Sequence, residues 1–85
     1  MSGYGEQQWD EEKAVRLLQG AGALVSGYEA EGALMPDELR ARYHARIVEA
    51  HNVRDMTAYQ EAVNGYVKAA REAYRRRGQE KEDRS

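Results

Sequence analysis

Three serines, two histidines and fifteen carboxylates are the side chains of this 85-residue protein that could do acid–base, nucleophilic or metal chemistry. Ser2 and Ser85 lie at the two ends, and Ser26 sits in an apolar helical pattern with no histidine near it in sequence. No serine therefore has a histidine near it in sequence to activate it. His44 and His51 are seven apart, on one helical face beside Arg40 and Ile47. Two ligands to one metal ion need the i,i+4 spacing, so these read as histidines at a core edge or an interface. The acids fall mostly on outward faces, with no pair that patterning would bury. There is no cysteine, which excludes disulfides, thiolate zinc sites and cysteine nucleophiles. No glycine-rich loop follows a strand. These residues predict no catalytic centre, no metal and no cofactor.

The remaining chemistry is recognition, and it concentrates in residues 56–78, MTAYQEAVNGYVKAAREAYRRRG. Met56, Tyr59, Val63, Tyr66, Ala70 and Ala73 recur at steps of three and four, a heptad seam flanked by Val67 and Tyr74. Tyr59 and Tyr66 occupy core positions, with their hydroxyls expected at the rim. Tyrosine and arginine are also the side chains enriched at binding hot spots. The seam thus reads either as an internal core or as a core continuing into a contact with another chain. For the second case the partner-binding candidates are Tyr59, Tyr66, Arg71, Tyr74 and Arg75.

Lys68, Arg71, Arg75, Arg76 and Arg77 form a basic end of the same helix. Cations there stabilise the helix dipole, and phosphate contact is the alternative use. Glu80, Glu82 and Asp83 follow at once and would compete with such contact. A helix-turn-helix over 39–66 fits poorly. With Val53 as the buried turn residue, Glu61 would fall at an inward position, and the next helix is too long for the motif.

Three helices must position these residues. The first spans 10–31, capped by Asp10 and followed by Glu11 and Glu12 at the positive end of the dipole. Ala14, Leu17, Leu18, Ala21, Leu24, Val25 and Tyr28 give its apolar spacing, with Trp9 just ahead. Gly20 and Gly22 fall inside the pattern, Gly20, Ala23 and Gly27 share a face open to close approach, and Gly32 serves as the left-handed stop. The second helix begins at Pro36, carries Leu39, Tyr43, Ile47 and Ala50, and ends at Asn52. The third begins after the cap Asp55 and ends at Gly78. Its last turns should overhang the short second helix, leaving Tyr74 uncovered unless the first helix reaches it. Residues 1–9 read as a flexible leader and 79–85 as a disordered charged tail. The fold class predicted is an all-α three-helix bundle, with one domain over 10–78.

Residues 1–38 hold two bases against eight acids, and residues 39–85 hold eleven bases against seven acids, so a net charge of −2 conceals a dipole. No apolar run approaches the length of a membrane span, and nothing resembles a secretion signal. A cytoplasmic setting is expected. Ten arginines against three lysines, without phenylalanine, suit a GC-rich prokaryote or its phage. The function expected is a small helical interaction module, an adaptor, assembly subunit or inhibitor, whose partner is another protein chain and includes itself as a homodimer. Nucleic-acid binding through the basic helix end is the alternative.

Overall fold

The computed structural model describes residues 8–84, with side chains described through Gly78. The leader expected at the N-terminus lies outside the described residues as far as residue 7. Three helices are present, α1 (Glu11–Ala30), α2 (Asp37–Asn52) and α3 (Met56–Arg84), and no strand occurs among the described residues.

Each helix start follows from local chemistry. The Asp10 carboxylate accepts from the Lys13 amide at 3.1 Å, and the Asp55 carboxylate accepts from the Ala58 amide at 3.0 Å. Both satisfy amides that an unlinked helix end leaves without a partner. Pro36 is the residue just ahead of α2, one position earlier than expected, with Asp37 and Glu38 in the first turn.

The two helix ends share one solution. After α1 the amide of Ala33 bonds the carbonyl of Tyr28, and Gly32 stands at φ +89°. After α2 the amide of Asp55 bonds Ala50, the amide of Arg54 bonds His51, and Arg54 stands at φ +58°. These are Schellman closures, which need a left-handed residue. Gly32 fills that place as expected; Asn52 does not, because it is still helical and Arg54 turns the chain. A left-handed arginine costs about 1–2 kcal/mol. Offsetting it, the Arg54 guanidinium donates to the His51 carbonyl and lies 5.4 Å from the Trp9 ring.

Gly78 also corrects the expected boundary, since the α3 backbone stays helical to Arg84. One interior glycine costs only about 1 kcal/mol, and the Gln, Glu and Lys residues after it are good helix formers.

The helices run up, down and up, and α3 packs against both others. The rings of Trp9 and Tyr59 meet at the start of α1, and those of Tyr28 and Tyr74 at its end, so α1 lies parallel to α3. The Tyr43–Tyr66 and His51–Tyr59 pairs set α2 antiparallel to it. No Cα of α1 comes within 8 Å of one in α2. Side chains bridge that gap near its two ends, through the Glu29–Arg40 ion pair and through His51 Nε2, 3.4 Å from Glu11 Oε2.

Met56, Tyr59, Val63 and Ala70 of the heptad seam are buried, joined by Ala14, Ala21, Val25, Ile47, Ala50 and Ala62. Ala33 and Met35 are buried too, so the connection after α1 closes the core at that end. Trp9, assigned by its neighbours to the leader, packs edge-on against His51 and Tyr59. Gly65 admits the α2 helix: a Cβ there would lie 2.8 Å from the Tyr43 ring.

Candidate interaction surface

Splaying α1 from α2 leaves apolar side chains uncovered on both flanks of α1. On one flank a cleft of about 460 Å³ opens between α1 and α2. Leu18, Gly22, Ala41, His44 and Ile47 line it, along with Tyr66 from α3. Leu18 is 43% exposed, and Val15 and Val48 nearby are each 44% exposed. Asp37 and Arg40 stand among the lining residues, so both signs of charge are present.

On the other flank a groove of about 550 Å³ runs between α1 and α3. Leu17, Gly20, Ala21, Leu24, Val63 and Val67 supply its apolar surface, with Leu24 51% exposed. Its polar lining is Arg16, Asn64, Lys68 and Arg71, without a carboxylate. Arg16 pairs with Glu12 at 2.8 Å in an exposed contact, whereas Lys68 and Arg71 form no ion pair among the described residues.

The partner-binding candidates are dispersed over this architecture. Tyr59 is buried inside the chain, and its hydroxyl donates to the Ala14 carbonyl at 2.8 Å instead of reaching the rim. Burial raises its phenol pKa above the ordinary value, and the Glu11 carboxylate adds to the shift. Tyr66 is half-buried and faces the α1–α2 cleft. Arg71 lies on the opposite flank. Tyr74 and Arg75 sit together at the far end, beside Glu31 and Arg77.

Tyr74 is not left overhanging. Because α1 runs parallel to α3, Tyr28 comes to within 5.2 Å of the Tyr74 ring, centroid to centroid, and leaves it 44% exposed. Arg77 returns toward α1, donating to the Gly32 carbonyl at 3.4 Å.

The basic residues do not share one face. Lys68, Arg71 and Arg75 follow one stripe at steps of three and four, Lys68 also borders a groove on the α2 side that Arg76 and Glu72 line, and Arg77 meets Gly32. Val53, which a helix-turn-helix would bury, is 67% exposed.

His44 and His51 occupy different places. His44 lines the cleft, while His51 packs with Trp9, Tyr59 and Glu11. The Glu11 carboxyl is held below the usual carboxylate range by the Trp9 indole N–H, donating at 3.1 Å, and by His51. No group of three or more His, Cys, Asp or Glu side chains placed to hold a metal occurs among the described residues.

The face of Gly20, Ala23 and Gly27 is a further correction. The α1 helix is continuous through these residues, but a Cβ on either glycine would meet nothing within 4 Å, and Ala23 is exposed. Among the described residues no other helix packs directly on that face, although Gly20 at its edge lines the α1–α3 groove. Sequence periodicity marks Leu18 and Leu24 as apolar positions but cannot show that they lie outside the internal core. That depends on how α1 sits against α2 for Leu18 and against α3 for Leu24.

Compared with protein-family models, curated proteins and solved structures, the chain matches none.

Proposed function

We propose that this protein is a small helical interaction module, acting as an adaptor, assembly subunit or inhibitor, and that it self-associates through the α1–α2 cleft. The observation that carries the proposal is Leu18, half-exposed beside Tyr66, with Val15 and Val48 uncovered nearby. Uncovered apolar side chains grouped around a concave surface favour a protein contact.

A second copy suits this cleft because Asp37 and Arg40, the latter already paired with Glu29, bring both signs of charge to its lining. A two-fold axis places the same patch on itself, and a patch of mixed sign does not force like charges together. Tyr74 and Arg75 lie away from the cleft and take no part in this contact.

A dilution series followed by amide NMR tests the proposal. Concentration-dependent shifts should cluster at Leu18, Gly22, Ala41, His44 and Tyr66. Invariant spectra across the series would count against self-association through the cleft.

A further inference from the structure

The groove on the other flank of α1 differs from the cleft in its charge. The cleft carries Asp37, and the grooves beside α2 carry Glu49, Asp55, Glu61 and Glu72. The α1–α3 groove carries only Arg16, Lys68 and Arg71 among its ionisable residues.

We propose that this groove binds an acidic amphipathic α-helix from a different protein, its apolar stripe on Leu17, Leu24 and Val67 and its carboxylates against Arg16, Lys68 and Arg71. The proposal rests on the reading of the protein as an interaction module and assigns a partner chemistry to a second surface. Leu17 and Leu24 are two helical turns apart, about 10 Å along α1, which matches a partner stripe at i, i+3 or i+4, and i+7. Gly20 lies between them with open space above its Cα, so the incoming helix can come close.

Charge selects the occupant. Arg16 projects from the α1 side of the groove, and Lys68 and Arg71 from the α3 side. Symmetric pairing of two copies here would bring cations against cations, with no carboxylate in the lining to meet them. An acidic helix meets both sides. The Arg16–Glu12 pair is a weak obstacle, because exposed i,i+4 pairs contribute only about 0.3–0.5 kcal/mol.

The test uses the full chain and two fluorescein-labelled helical peptides of about 14 residues, ~21 Å long. Both carry leucines at i, i+3 and i+7; one is flanked by glutamates and the other by lysines. The glutamate peptide should bind at least about tenfold more tightly at low salt, lose affinity as salt rises, and shift the amides of Gly20, Leu24 and Val67. The Lys68→Glu/Arg71→Glu variant, whose altered side chains are exposed, should keep its helicity and reverse the peptide preference.

Equal binding of the two peptides, or no binding of either, overturns the proposal. Shifts confined to Leu18, Ala41 and His44 overturn it while leaving the interaction reading in place. Tight binding of duplex DNA, abolished by the same double variant and with no peptide preference, overturns it in favour of nucleic acid.

Discussion

The Tyr59 hydroxyl donates to the main-chain carbonyl of Ala14 at 2.8 Å, joining α3 to the first turns of α1 through a buried bond. Trp9 packs edge-on against the same ring with centroids 5.4 Å apart, and His51 flanks it from α2. All three segments therefore meet around one phenol. Tyr59→Phe should keep the packing and lose the bond, costing about 0.5–1.5 kcal/mol in chemical denaturation. A neutral result would show that this bond does not hold α1.

The same phenol should ionise above the ordinary phenol value in an alkaline spectrophotometric titration that compares the wild type with Tyr59→Phe. Its folded pKa is raised by burial, so the folded chain holds its proton after the unfolded chain has released it. The sign is fixed by linkage: this contribution is fully present below the unfolded value near pH 10 and is lost as pH rises through the folded value. Ionisation of Tyr59 at or below the ordinary phenol value would contradict the burial.

Glycines in α1 and α3 should respond in opposite directions. Gly65→Ala places a Cβ 2.8 Å from the Tyr43 ring, so it should destabilise by about 1–3 kcal/mol. Gly27→Ala enters open space on a helix and should stabilise by about 0.5–1 kcal/mol. Ala23→Leu, on the same uncovered face, should be close to neutral. Thermal melts of the three variants settle the comparison, and a destabilising Ala23→Leu would mean that this face is packed.

Tyr74→Ala should weaken the fold itself. The Tyr28–Tyr74 pair is internal, and such pairs contribute about 0.5–1.5 kcal/mol beyond the area they bury. The loss should be the same at every protein concentration. Loss of self-association without loss of stability would return Tyr74 to an interface.

The helix boundaries that could be read from sequence are those fixed by neighbours in the chain. Asp10 and Asp55 cap the amides that follow them, and Gly32 takes the left-handed turn that glycine favours. Arg54 could not be read in this way. Its strained backbone is offset by Trp9, which only the folded chain brings near. The contact that partly covers Tyr74 could not be read for a related reason. The three-four spacing of α1 gives its face but not its direction, and only parallel packing on α3 brings Tyr28 to Tyr74. The seam of α3 was legible because a single helix sets it, and Met56, Tyr59, Val63 and Ala70 are buried as their spacing implies. The two surfaces flanking α1 were not, because they exist only in the space between helices.

If the apolar flank of α1 at Leu18 is covered by a second copy of the chain, the protein must associate through it. Light-scattering mass measured across a concentration series tests it most directly, with Leu18→Glu beside the wild type. The wild-type mass should rise from 9.7 kDa toward twice that value, while Leu18→Glu stays at the monomer mass with unchanged helicity. A wild-type mass of 9.7 kDa at every concentration into the millimolar range would mean that the protein does not self-associate through this flank.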